Sequence, residues 1–108
     1  MSDISVKIIK LNKNAILPDY QTAQPAGMDV HACIDKPIIL SPMERKLIPS
    51  GIAIELPIGY EAQIRARSSL GFKHGIALVN GIGTIDSDYR GEIGVALINL
   101  GHDDFIVE

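Results

Sequence analysis

The sequence predicts an all-β domain, and three observations carry that reading. Short β-branched runs recur at close spacing, Gly, Pro, Asn or Asp bounds each of them, and helical periodicity is sustained nowhere in the 108 residues. Many short strands at such spacing favour a sandwich or barrel over a parallel α/β sheet.

Taken in order, the runs at 5–11, 28–33, 37–40, 45–48 and 52–56 are apolar and β-branched between turn-forming residues. In the second of these, Met28 and Val30 are expected to face inward. Pro57, Ile58 and Gly59 then read as the connection of a hairpin joining 52–56 to 60–67. Residues 60–67 alternate cleanly, with Tyr60, Ala62, Ile64 and Ala66 on one side and Glu61, Gln63, Arg65 and Arg67 on the other, the pattern of a half-buried strand. At most one short helical turn is expected, over 68–73, where Ser68 or Ser69 is placed to cap backbone donors. Strands at 76–79, 92–100 and 105–107 complete the series. No linker, repeat or low-complexity tract divides the chain, so residues 1–108 are expected to form one domain. The sequence stops at Glu108 inside an apolar alternation, and the expectation is a domain lacking its last strands and tail.

Composition narrows the function classes. The chain is 46% apolar but has no Trp, three Tyr and two Phe, so aliphatic side chains must fill a thin interior. A net charge of −3 and a pI near 5.5 give no cationic field for a nucleic-acid polymer, whereas a small anion needs only a local basic pocket. The single cysteine, Cys33, has no partner for an intramolecular disulfide and reads as a small apolar filler. With no basic-then-apolar leader, a cytoplasmic location is expected. No apolar stretch approaches the roughly 20 residues of a membrane span.

Three segments carry chemistry. The densest is NGIGTIDSDYRGE, residues 80–92, too long for a minimal turn. Gly81 and Gly83 allow close backbone approach to a ligand, Asn80 offers donors and an acceptor for a planar base edge, and Asp86 beside Ile85 is expected to be a partly desolvated carboxylate suited to general-base work. The same residues read equally as a decorated β-hairpin. In RARSSLGFKHG, Arg67, Ser68 and Ser69 bring a guanidinium, hydroxyls and backbone amides together, either as a phosphate cradle or as a capped turn beside a surface arginine. Lys73 and His74, in the same loop, read as a solvated face. Asp29 in AGMDVHA is a carboxylate suited either to a strand edge or to a hydrated Mg²⁺.

In this order, AGMDVHA, RARSSLGFKHGI and NGIGTIDSDYRGE resemble the first three of the five motifs of the trimeric dUTPase family, over residues 26–99. The resemblance implies a small jelly-roll-like (β-clip) subunit that assembles as a homotrimer with active sites at subunit interfaces. It further implies Mg²⁺-assisted hydrolysis of dUTP to dUMP and pyrophosphate, which keeps uracil out of DNA and supplies dUMP. Carried over residue by residue, it makes Asp86 the base and Tyr89 the platform under the deoxyribose that excludes a 2′-hydroxyl. Asn80 and the neighbouring backbone of Gly83, Thr84 and Ile85 would read uracil. Arg67, Ser68 and Ser69 would bind the phosphates from another subunit, and Asp29 would act on the metal through water. Arg90 and Glu92 match the pattern and read as structural.

Met28 stands where an aromatic or Leu is frequent in the family, and Ala66 where Pro is frequent. The fourth motif, with a Gln near the phosphates, and the Gly-rich fifth motif do not occur in these residues. Two alternatives follow: a dUTPase-like binding or regulatory module without activity, and a dCTP deaminase, which shares an RSS-like segment but typically carries a glutamate where this chain offers Asp86.

Overall fold

The computed structural model describes residues 4–20 and 26–108. Among them the order is β1 (Lys7–Lys10), β2 (Ile38–Leu40), β3 (Arg45–Pro49), β4 (Ile52–Glu55), β5 (Ala62–Ile64), α1 (Ser68–His74), β6 (Ile76–Leu78), β7 (Gly83–Ile85), β8 (Gly94–Asn99) and β9 (Phe105–Val107). The expected all-β architecture holds, and the one helical element among the described residues is a seven-residue helix where a short turn was expected.

Every strand pair is antiparallel, and the pairs form four small sheets: β1 with β4, β2 with β9, β5 with β7, and β3–β8–β6. The expected hairpin of 52–56 with 60–67 does not form. Pro57–Gly59 does make a turn, closed by the Tyr60 N–H donating to the Pro57 carbonyl at 3.2 Å, but the chain leaves that turn for another sheet. β4 pairs with β1, and β5 pairs with β7 from the middle of the 80–92 segment, so that segment is more than a decorated hairpin. Within 60–67 only Ala62–Ile64 is strand, and Tyr60 and Ala66 are exposed.

The expected strand at 28–33 is also absent. Asp29 makes an isolated antiparallel bridge with Asp19, Cys33 N–H donates to the Pro49 carbonyl at 2.8 Å, and Met28 is exposed where it was expected to face inward. These backbone groups find partners one at a time, so the segment packs without a ladder.

The core cluster is Ala15, Ile52, Leu56, Ile85 and Ile93, with Ile8, Cys33, Ile54, Ala62 and Ile64 packed against it. Burying Ile52, Ile85 and Ile93 contributes about 1.5–3 kcal/mol each, and the cluster joins β4 to β7 across the molecule. Cys33 is half-buried and packs against this cluster. The fully buried Asn99 serves a different end. Its Nδ2 donates to the carbonyls of Leu40 and Asp103, both at 2.8 Å, and its Oδ1 accepts the Gly101 N–H at 2.9 Å, so β2, β8 and the turn before β9 are locked by one satisfied amide.

Period two divides the residues of β3–β8–β6 between two faces. Ile48, Val95, Leu97, Ile76 and Leu78 look inward onto a cavity described below. The opposite face carries Leu47, Ala96, Ile98 and Ala77, with Leu47 paired to Ala96 and Ile98 to Ala77. Leu47 is 69% exposed there. The radius of gyration, 14.6 Å, exceeds the ~13 Å of a compact domain of this length.

Candidate active site

Ile85 is the anchor of the 80–92 segment. As the last residue of β7 it packs into the core, so period two turns Asp86 outward, and Asp86 is exposed, not partly desolvated as expected. Its carboxylate has no hydrogen-bond or ion-pair partner among the described residues, while its carbonyl accepts the Tyr89 N–H at 3.1 Å and closes the turn 86–89. Arg90 stiffens that turn, with Nη1 donating to the Ser87 carbonyl at 2.6 Å and Nη2 lying 3.7 Å from Glu55 Oε1. Glu92 accepts the Gly51 N–H on Oε2 at 2.9 Å. Arg90 and Glu92 therefore hold the loop in place, as the sequence suggested.

Tyr89 is half exposed, and its hydroxyl donates to the Glu92 carbonyl at 2.7 Å. Upstream, the Asn80 side chain lies across Gly83, where a Cβ would come within 3.4 Å of Asn80 Nδ2. Gly83, Thr84 and Ile85 are in ladder register with Ile64, Gln63 and Ala62, and only Thr84 among the three presents an exposed side chain. Ile85 can reach a ligand through its main chain alone. Asn80, Gly83, Thr84, Asp86 and Tyr89 are thus carried on one strand and its two flanking turns, fixed at Ile85 and Glu92.

The phosphate candidates stand elsewhere. Arg67 is the N-cap residue of α1, in extended conformation, and no side chain caps the helix, so neither Ser68 nor Ser69 has the capping role expected of it. Both serines are exposed on the first turn. Arg67 is exposed too, and its guanidinium is uncommitted among the described residues. Arg65, by contrast, donates to Gln63 Oε1 at 2.7 Å.

A cavity of about 400 Å³ lies between the inner face of β3–β8–β6, β5 and the 28–32 segment. Asp29 and Arg67 both line it, but Asn80, Gly83, Thr84, Asp86 and Tyr89 do not. Asp29 is half-buried, and its bridge partner Asp19 is a second carboxylate, whose Oδ1 accepts the Tyr20 N–H at 2.8 Å; residues directly opposite in such a pair sit with Cβ atoms about 5 Å apart. No group of three or more metal-binding side chains occurs among the described residues. Nor is any helix there long and apolar enough to cross a membrane.

A family model described as dUTPase matches residues 13–108. The chain is 57% identical over 99 residues to a deoxyuridine 5′-triphosphate nucleotidohydrolase of Treponema denticola, covering 92% of this chain and 69% of that protein. Against the protein of the same name from Syntrophotalea carbinolica the identity is 48% over 107 residues, 99% of this chain and 73% of that one. Among solved structures, a mutant dUTPase from phage phi11 of S. aureus, reported for its coordination of a structural Mg(II) ion, superposes with a TM-score of 0.81 at 26% identity. That match covers 91% of this chain, which spans 61% of the phage protein's length. With a family model matched from residue 13 to 108 and bacterial relatives at this identity, the chain belongs to the dUTPase family.

Proposed function

We propose that this chain hydrolyses dUTP to dUMP and pyrophosphate, with Asp86 as the general base. The observation that carries the assignment is the placing of Asp86: exposed and uncommitted, yet fixed directly after the buried Ile85. A base must reach the water it deprotonates and must not wander, and this position meets both demands. Asp86 takes a proton from water, the water oxygen bonds to the α-phosphorus in line, and the bond to the bridging oxygen breaks as pyrophosphate leaves. Arg67 binds phosphate oxygens bidentately, and Ser68 and Ser69 add hydroxyl donors, Ser68 at the bridging oxygen. Tyr89 lies under the deoxyribose. Asn80 and the backbone of Gly83, Thr84 and Ile85 read the base.

The donors present fit a Mg²⁺ ion held loosely: a half-buried carboxylate with a second opposite it, and no closed cage among the described residues. Mg²⁺ commonly takes one or two protein carboxylates and keeps the rest of its shell as water and substrate phosphate. Asp29, through water, would hold it with help from Asp19, and the ion when bound supplies neutralising charge to the phosphates.

We further read the chain as a homotrimer whose sites lie between subunits. Asp29 and Arg67 line a cavity that Asp86 and Tyr89 do not line, which is compatible with a site completed by another chain, and the exposed apolar face around Leu47 supports burial against another copy. The unpaired Cys33 is compatible with a cytoplasmic location.

Hydrolysis in ¹⁸O-labelled water tests the reaction. Attack at the α-phosphorus leaves the label in dUMP and none in pyrophosphate; label in pyrophosphate contradicts the mechanism, and no cleavage of dUTP contradicts the activity.

A further inference from the structure

Tyr89 is held in the free protein more firmly than an exposed tyrosine needs to be. Its ring lies directly over Gly91: a Cβ at that position would come 2.6 Å from Tyr89 Oη and 2.8 Å from Cζ. Gly91 does not have a positive φ, so its backbone does not demand glycine; the space taken by the tyrosine ring does. The hydroxyl then donates to the Glu92 carbonyl. The residue that bears it is anchored at its side chain and through its neighbour. The Glu92 side chain accepts the Gly51 N–H, and the next residue, Ile93, is in the core with its N–H donated to the Ile52 carbonyl at 2.9 Å. Ring, carbonyl and core form one chain of fixed contacts.

A steric filter works only if the filtering group cannot retreat. A tyrosine free to change rotamer would swing aside for a 2′-hydroxyl at small cost, and discrimination would shrink to that cost. A ring seated over glycine and tethered at its hydroxyl is preorganised, so a ribose must break the tether before it fits.

We propose that Gly91 and Glu92 are positioning residues for sugar selection: Gly91 provides the seat and Glu92 the tether that hold the Tyr89 ring in place before substrate arrives. The inference rests on the reading of Tyr89 as the sugar platform and adds to it the devices that make the platform rigid.

The test compares dUTP and UTP turnover by the full-length protein with those of its Gly91→Ala, Tyr89→Phe and Tyr89→Ala variants. Thermal unfolding checks the fold of each, and carbon-13 spectra of labelled tyrosine report the ring without ligand. Gly91→Ala removes the seat, and Tyr89→Phe keeps the ring but removes the tether. Each is expected to lower the dUTP-to-UTP ratio of kcat/KM by about tenfold, the scale of one lost hydrogen bond, with the change falling mainly in KM for UTP. The free Tyr89 resonances should shift and broaden in Gly91→Ala. If Tyr89→Ala destroys the discrimination but Gly91→Ala and Tyr89→Phe keep it, the platform stands and the positioning role is wrong. If Tyr89→Ala also keeps it, the reading of Tyr89 itself is wrong. Should Gly91→Ala fail to fold, Tyr89→Phe decides: a retained ratio overturns the tether.

Discussion

The backbone N–H of Gly51 donates to Glu92 Oε2 at 2.9 Å, tying the corner between β3 and β4 to the far end of the loop that carries Asp86. The corner admits only glycine on two counts. Its φ is +71°, and a Cβ would lie 2.9 Å from both Ala15 Cβ and Cys33 Sγ. Gly51→Ala should therefore cost about 2 kcal/mol or more, from left-handed backbone strain plus overpacking, read as a lowered urea midpoint. Glu92→Ala leaves the Gly51 donor without its partner and should cost about 1–2 kcal/mol, while Glu92→Gln, which still offers an acceptor, should recover most of that loss. Equal loss in Glu92→Ala and Glu92→Gln would show that the link contributes through charge instead.

Arg67 is exposed and uncommitted, so substitution there should leave stability within about 0.5 kcal/mol. Arg67→Lys keeps the charge but loses the planar fork that grips two phosphate oxygens. The expected result is roughly tenfold weaker binding of a non-hydrolysable dUTP analogue, with an unchanged melting temperature, measured by calorimetry on the wild-type and variant proteins. Unchanged affinity would remove Arg67 from the phosphate site.

Leu47 is 69% exposed and lies across Gly94 of the neighbouring strand, where a Cβ would meet its Cδ1 at 2.8 Å. An isolated chain loses almost nothing when such a residue becomes charged, but a buried subunit interface loses a great deal. Leu47→Glu should shift the mass seen by light scattering from trimer towards monomer at micromolar concentration. A wild-type protein that is already monomeric contradicts the shared-site arrangement, and a trimer unaffected by Leu47→Glu places the interface on another face.

What the sequence made legible was local. Alternation and turn residues located the strands at 45–48, 76–79 and 105–107, because period two and Gly or Pro punctuation are properties of adjacent residues. Pairing was not legible. The turn at Pro57–Gly59 is real, yet Ile52 and Ile85, far apart in sequence, pack in the same cluster and draw β4 and β7 into the arrangement that separates the expected hairpin. Residues 28–33 have strand composition but bond singly to Asp19 and Pro49, a tertiary outcome that composition does not record. At the site, residue types at 80–92 singled out the loop on which the proposed base is placed. The exposure of Asp86, the missing cap on α1, Asp19 opposite Asp29 and the seating of Tyr89 on Gly91 all depend on the folded chain, and no periodicity encodes them.

Asp86 is the residue on which the proposed reaction depends, and a pair of substitutions tests its role. Asp86→Asn keeps the volume and hydrogen-bonding capacity of the side chain but cannot accept a proton from water at neutral pH. Asp88, also exposed and two residues further along the same turn, gives the control Asp88→Asn. Single-turnover hydrolysis of dUTP by the full-length protein should fall by about 10²- to 10⁴-fold in Asp86→Asn, with analogue binding and thermal stability retained, and should change little in Asp88→Asn. Near-normal turnover by Asp86→Asn, or a larger loss in Asp88→Asn, would contradict the assignment of the base.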